Sequence, residues 1–432
     1  MVGDSLRLGM TQQSRMFVIG AGLSGLSCAV GLAERGASVT VLESAGHAGG
    51  RCRSYFDDTL GAEIDNGNHL LLSGNRSVAR YLTTIGAGDA LVGPERAEIP
   101  FLDLANGESW TLRPGAALWP WWLAQGRGVP GSSALSWLRV LRLCTARQDA
   151  TVGDALDDGG VLYRRLWRPL TVAALNTECE RASAWLLWAV VRNTLGRGEA
   201  ACRPRIARRG LGPTFVDPAL AWLGARGVNI LFNRRVRVLE IAGGRVVALA
   251  DGRERHVLGP ADRAILCVPP AATGDLLPGL TVPTEARAIV NVHFKISQPA
   301  SSPRLVGLVG GTAEWVFHRS DMASVTISAA DQIVGEAADV IARRVWPEVV
   351  RALASLGTQL PEQAPAYRVV KERRATFAQT PEMEMYRAET RTPVANLFLA
   401  GDWTRTGLPA TVEGAIQSGF QAAAQALNLR TG

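Results

Sequence analysis

At 432 residues the chain can bury a large core and divide into two or more domains. Its 47% hydrophobic and 20% charged residues exclude a disordered chain, and its longest uncharged run, Met16–Ala33, holds four glycines and is no membrane span. The net charge of +7 rests on scattered arginines without a compact basic tract, which excludes nucleic acid and leaves anionic lipid as the fitting partner for a basic surface.

Residues 1–15 are polar, lack a signal-peptide core and read as a flexible N-terminal extension. Met16–Ile19 is a short apolar run closed by glycine, the pattern of a buried parallel strand. Gly20-Ala21-Gly22-Leu23-Ser24-Gly25 then fits G-x-G-x-x-G. Gly20 permits a tight turn, Gly22 lets the backbone approach a pyrophosphate, and Gly25 lets the next helix pack against the strand. That helix carries Leu26, Ala29, Val30 and Ala33 on one face and stops at Gly36. A second strand, residues 38–42, delivers Glu43 twenty-three residues after Gly20, placed to accept from a ribose hydroxyl. Strand, glycines, helix, strand and acid in this order indicate a dinucleotide site.

A strand and turn at 54–58 precede Ala62–Leu72, which holds the polar loop Asp65-Asn66-Gly67-Asn68-His69. Residues 76–86 read as a helix, and 99–112 as a hairpin around Asn106-Gly107. Eight of the twelve tryptophans fall between Trp110 and Trp188. Within that stretch Leu118–Leu123 and the short basic amphipathic helix Ser136–Leu143 suit either an interfacial membrane anchor or a cap burying its own tryptophans. Helices follow through 151–195, with Trp185, Leu186, Val190 and Leu195 as core positions, and Arg203–Arg209 reads as a surface charge cluster. Strands at 229–232, 235–239 and 263–268 return to the nucleotide-binding domain, with a turn at Gly243-Gly244. A second sheet is expected from 289–296, 305–318, 323–329 and 367–371, with a helix at 335–355. The only other match to the G-x-G-x-x-G spacing, Gly126–Gly131, follows no expected strand, so no built-in nicotinamide domain is expected. The six cysteines (Cys28, Cys52, Cys144, Cys179, Cys202, Cys267) show no metal-ligand spacing and read as reduced thiols, several in core elements.

Ala48-Gly49-Gly50-Arg51 and the late Leu397-Phe398-Leu399-Ala400-Gly401-Asp402 resemble the FAD signature of the glutathione-reductase-like flavoproteins, in the amine oxidase and phytoene desaturase branch. The resemblance implies FAD held by Gly20, Gly22, Leu23, Ser24, Gly25 and Glu43, with Gly50 and Arg51 near the pyrophosphate. It places Gly401 and Asp402 at the ribityl or phosphate region, Val236 at the adenine, and Val412 at the start of a helix facing the flavin ring. Gly67, Asn68 and His69 fall on the loop that passes the ring. No cysteine lies near Gly401–Gly414, so the FAD is expected to be non-covalent.

A closer likeness is to the squalene-associated FAD-dependent desaturase family, whose assigned activity is hydroxysqualene dehydroxylation in bacterial hopanoid synthesis. It rests on Asp65–Leu72, Pro169-Leu170, Ala173–Thr177, Arg374–Pro381, Gly401-Asp402-Trp403-Thr404 and Gly407–Ala415. It implies an α/β fold: a Rossmann FAD-binding domain (16–90, 219–275, 391–432) with an inserted α+β substrate domain. The inserted part comprises a helical, Trp-rich cap region (91–218) and a substrate sheet (276–390). It further implies a hydroxysqualene-like long isoprenoid substrate, an external electron donor and a cytoplasmic protein lying against the inner membrane face. Loss of an allylic hydroxyl needs an acid and a dry pocket, and Asp65 and His69 are the candidate catalytic residues. Asp65 has bracing of the loop as its alternative role. Lys295 lies roughly where amine oxidases carry a lysine near flavin N5, in a poorly matching context, and reads as an exposed strand lysine. The rival activities are carotenoid-type desaturation and, further off, amine oxidation.

Overall fold

The computed structural model describes residues 14–116, 120–124 and 126–428. The expected N-terminal extension therefore lies outside the described residues except for its last two. Of these, Arg15 opens the first strand and is held by Asp262 in a 2.6 Å ion pair. Leu118 and Trp119 also lie outside.

The five-stranded parallel sheet has the order Asn229–Leu231, Ser38–Leu42, Arg15–Ile19, Arg263–Leu266, Leu397–Leu399. Its strands are nearly continuous apolar runs because helices cover them. On one side the helices Leu23–Ala33 and Val412–Asn428 pack together. Their approach is close enough that a Cβ on Gly419 would lie 2.2 Å from the Ser24 carbonyl oxygen, and one on Gly31 would touch Phe420 at 3.0 Å. The antiparallel strands Val238–Ala242, Arg245–Ala250 and Arg255–Val257 lie outside that sheet, turning at Gly243-Gly244.

The substrate sheet has seven strands in the order Tyr367–Phe377, Ala286–Lys295, Met322–Ile327, Trp315–Arg319, Arg304–Val309, Ile99–Asp103, Ser109–Leu112. The Asn106-Gly107 hairpin is thus the outer edge of this sheet, joined by a parallel pairing of Gly307 with Phe101. Helix Ala338–Ser355 packs its Ile341, Val345 and Val349 against one face.

The tryptophan-rich region is a cap with its own core. Trp121, Trp137 and Trp167 are buried and meet edge to face, at ring separations of 5.2 and 5.8 Å. Burial and edge contacts of this kind fix aromatic rings firmly. The amphipathic helix expected at 136–143 is one α-turn, Ala134–Leu138, continued as 3-10 helix Arg139–Thr145. Its exposed apolar side chains are leucines, Leu135, Leu138 and Leu141, with Leu123 beside them.

Two expectations are corrected. Trp185, read as core, is 43% exposed, while Leu186 is fully buried. The arginine-rich run at 203–209 contains a strand, Pro204–Ala207, which pairs with both Leu71–Leu72 and Leu91–Val92. Pro204, Ile206 and Ala207 are buried, so the apolar residues among the arginines set its place.

Candidate functional site

The glycine turn has the geometry that its spacing demands. Gly20 sits at φ +103°, where a Cβ would lie 2.6 Å from the Cys267 carbonyl oxygen. A Cβ on Gly25 would lie 1.8 Å from the Gly20 oxygen, so no side chain fits. Gly22 differs: a Cβ there would meet nothing within 4 Å, and this open side of the turn is where a diphosphate can approach. Leu23 and Ser24 are buried and begin the helix, whose free N–H groups face the same opening. Glu43 accepts the Ala21 N–H at 2.6 Å and the Ala45 N–H at 2.8 Å. Its carboxylate thereby braces the turn while keeping lone pairs for a ribose hydroxyl.

The second signature closes on the first. Gly49 donates its N–H to the Ala21 carbonyl at 2.8 Å and bridges Gly22, which brings Gly50 and Arg51 against the turn. Arg51 donates from Nη2 to both oxygens of Asp402, 2.8 Å to each, and from Nη1 to the Ala375 carbonyl. The Asp402 carboxylate holds the Arg51 guanidinium above its ordinary pKa. Gly401 donates to Ser418 Oγ at 2.8 Å, and a Cβ there would strike Trp403 Nε1 at 2.6 Å. Val412, buried, opens the C-terminal helix. Val236 packs in one cluster with Ile19 and Leu42, and its backbone lies before the antiparallel ladder that begins at Val238. Together these residues fit a dinucleotide: a glycine opening, a helix N-terminus, a braced carboxylate and an arginine at one place.

The polar loop lies over the substrate sheet. Gly67 is pressed against Asn291, and the Asn68 amide donates to Thr326 Oγ1 at 3.2 Å. Asp65 is 2% exposed. It accepts from Ser54 Oγ at 2.5 Å and from the Leu211 N–H at 2.8 Å, and it is paired with Arg319 at 2.8 Å. Enclosure by protein pushes the His69 pKa down to about 4, although part of the residue still meets solvent. The Asp65 carboxylate favours the charged form of His69 and the Arg51 guanidinium opposes it. Lys295 donates to the Leu60 carbonyl at 3.0 Å and is 3.6 Å from Asp321. A broader cavity of ≈ 310 Å³ borders the glycine pair at His47, Ala48, Arg53, Ser54 and Tyr55, and shares none of the loop residues.

Three supporting roles escape sequence reasoning. Arg387, with a fully buried side chain, donates to the carbonyls of Asp402, Thr404 and Leu408 and pairs with Glu384. It therefore shapes the loop that presents Asp402. Gln379, also fully buried, donates to the Leu175 carbonyl at 2.6 Å and accepts the Ala410 N–H at 2.8 Å. Glu413 accepts the N–H groups of Ser77 and Val78 at 2.8 and 2.9 Å, capping the helix Arg76–Thr84. Gln379 and Glu413 lie in the stretches Arg374–Pro381 and Gly407–Ala415 that carry the family likeness, but their roles depend on partners up to 336 positions away, and Arg387 carries no such signal.

Five cysteines are buried and Cys144 is exposed, all as free thiols. Among the described residues no cluster of metal-ligating side chains occurs, and no helix is long and apolar enough to cross a membrane.

Comparison with known proteins places this geometry in context. The family model for flavin-containing amine oxidoreductases matches residues 23–427. The chain is 47% identical over 408 residues to a hydroxysqualene dehydroxylase of Rhodopseudomonas palustris, covering 94% of this chain and 96% of that protein. It is 24% identical over 481 residues to a zeta-carotene desaturase of Synechocystis, covering 95% and 96%. Among solved structures, a variant of putrescine oxidase shares the fold with a TM-score of 0.70 at 16% identity, covering 96% of this chain and 99% of that one.

Proposed function

The chain belongs to the flavin-containing amine oxidoreductase family, and from that premise we propose that it is an FAD-dependent hydroxysqualene dehydroxylase, reducing hydroxysqualene to squalene with loss of water. The observation that carries the reading is the 47% identity to a hydroxysqualene dehydroxylase along nearly the whole length of both chains. The FAD would rest, without a covalent link, on Gly20, Gly22, Leu23, Ser24 and Gly25. Glu43 would take the ribose and Val236 the adenine. Gly50, Arg51, Gly401 and Asp402 would take the pyrophosphate and ribityl chain, and Val412 with Gly67, Asn68 and His69 would border the ring. When bound and reduced, the flavin supplies the hydride.

The chain's own residues supply the rest. Arg51 balances the Asp402 charge and offers further N–H donors to phosphate oxygens. His69, neutral at pH 7 with its pKa near 4, acts as a hydrogen-bond donor to the leaving hydroxyl and not as an imidazolium. Asp65 holds Arg319 and the Leu211 backbone, and so fixes the loop that carries His69. The apolar cap keeps water from an allylic cation. The electron donor is external to the chain. Membrane contact falls to the exposed leucines Leu123, Leu135, Leu138 and Leu141, seated on the rigid tryptophan core at the cytoplasmic face of the bilayer. Glutamate at Leu135 and Leu138 would abolish co-sedimentation with anionic vesicles, and unchanged binding would refute that contact.

The activity is tested anaerobically. The bound flavin is photoreduced, hydroxysqualene is added in detergent, and flavin absorbance and squalene are followed together. Stoichiometric reoxidation and squalene support the reading. A flavin that stays reduced overturns it, and polyene desaturation by the oxidised protein would then be assayed.

A further inference from the structure

Between the polar loop and the substrate sheet lies a cavity of ≈ 20 Å³. On the same measure a single water needs about 10–15 Å³, so the space suits one oxygen-sized guest. Asp65, Asn68, His69, Arg319 and Ser324 line it together with apolar residues that include Phe317 and Leu211.

The polar lining is held in place from behind. Arg319 is fixed by its 2.8 Å contact with buried Asp65, and that contact uses one of the five N–H donors of a guanidinium. Ser324 Oγ lies 2.8 Å from Nδ1 of His293, a residue 2% exposed whose ring also bonds the Asp65 backbone. Burial keeps this imidazole neutral, with a pKa near 4, so it carries one N–H. That hydrogen goes to the Asp65 carbonyl, so Nδ1 accepts from the Ser324 hydroxyl and a serine lone pair is left for the cavity. The site then offers donors from Arg319 and His69 and an acceptor at Ser324 Oγ, a set suited to one water molecule.

We propose that this cavity receives the oxygen that leaves the allylic substrate and retains it as water until the carbon is closed. The inference rests on the dehydroxylase reading. In the step, the C–O bond breaks with its electron pair going to oxygen. A proton from solvent, entering through His69, completes the water molecule. The hydride of the reduced flavin forms the new C–H bond, so alcohol, hydride and proton become alkene product and water. A water whose lone pairs are taken by Arg319 and His69 and whose O–H is held by Ser324 Oγ is fixed in place and is a poor nucleophile toward the cation. His293 acts as a positioning residue through Ser324.

The test uses the reduced holoenzyme in water enriched in ¹⁸O, stopped at partial conversion, with squalene and the label in recovered hydroxysqualene both measured. The wild-type protein should form squalene and leave the recovered alcohol unlabelled, because released oxygen does not mix with solvent. Ser324→Ala should slow squalene formation about tenfold, as loss of one hydrogen bond does. It should also introduce solvent label into the recovered alcohol. Ser324→Thr, which keeps the hydroxyl, should restore both, and it serves as the folded control. Unlabelled alcohol from Ser324→Ala, or equal labelling of the wild type, overturns the proposal while leaving the dehydroxylase reading intact. Failure of the wild type to make squalene overturns both.

Discussion

Gln379 offers the sharpest test of how the segment before the C-terminal helix is supported. Its side chain is fully buried and joins two segments: the cap through the Leu175 carbonyl, and the stretch before the C-terminal helix through the Ala410 N–H. Gln379→Met keeps the length and removes both hydrogen bonds. Each stranded buried backbone group costs roughly 1–3 kcal/mol, and the added apolar surface returns part of this, leaving a net loss of roughly 2–4 kcal/mol. The loss is read from urea unfolding of the holoenzyme. FAD affinity, titrated separately, should fall by about tenfold or more as the Leu408–Thr411 segment loosens. Gln379→Glu adds a pH signature. Its carboxyl is desolvated beside the Leu175 carbonyl, so its pKa in the folded state rises above the unfolded value near 4.3. The protonated acid can make both bonds. Stability relative to wild type is therefore present below the unfolded pKa and lost as pH rises through the folded one. A Gln379→Met protein within about 0.5 kcal/mol of wild type, or a Gln379→Glu protein without that pH trend, would refute the reasoning.

Arg387→Met should strand the Asp402, Thr404 and Leu408 carbonyls and the Glu384 carboxylate, costing about 3–5 kcal/mol and releasing FAD on gel filtration; full flavin retention would contradict this. Squalene formation should stay level between about pH 6 and 8, because His69 with a pKa near 4 is already neutral there; a midpoint near 6.5 would show that its protonated form is needed. His293 is neutral in the folded state down to pH 4, whereas unfolded histidine binds a proton near 6.5. Stability should therefore fall as pH drops through that window, by up to about 3 kcal/mol from this residue, and His293→Gln should remove that share and leave the similar one from His69 in chemical denaturation. Burial raises the Glu314 carboxyl to about 7, so Glu314→Gln should stabilise the protein above that pH and change little in acid, as thermal melts at two pH values would show.

The nucleotide-binding turn was legible because its constraints are local. Gly20 and Gly25 must be glycine for contacts made within a few residues and one neighbouring strand. Glu43 follows at a spacing set by one strand–helix–strand unit. The Asn106-Gly107 hairpin was legible for the same reason: a turn with Gly107 at φ +77° joins two short strands. Its membership of the substrate sheet was not, because that depends on the pairing of Gly307 with Phe101, some two hundred residues apart. The tryptophans show the limit of composition. Leucine, arginine and tryptophan together suit a membrane interface or a core equally, and only packing shows that Trp121, Trp137 and Trp167 turn inward while the leucines turn out.

The family-specific pieces outside the cofactor signature looked unrelated in the chain, and their spatial meeting accounts for their texture. Asn176 takes the left-handed conformation at φ +48° at the end of helix Arg168–Leu175, where asparagine is tolerated better than most residues. From there its Oδ1 accepts the Ala329 N–H at 2.6 Å and its Nδ2 donates to Thr376 at 3.0 Å. Thr177 accepts the Gln379 N–H at 3.1 Å, and Gln379 reaches Ala410. One joint therefore ties the cap to the substrate sheet and both to the start of the C-terminal helix. Its members are polar because each satisfies a buried backbone group at a place where three segments end. An apolar substitution at any of them would strand such groups, which is why these positions, remote from the reacting atoms, can govern how firmly the cofactor and the cap are held together.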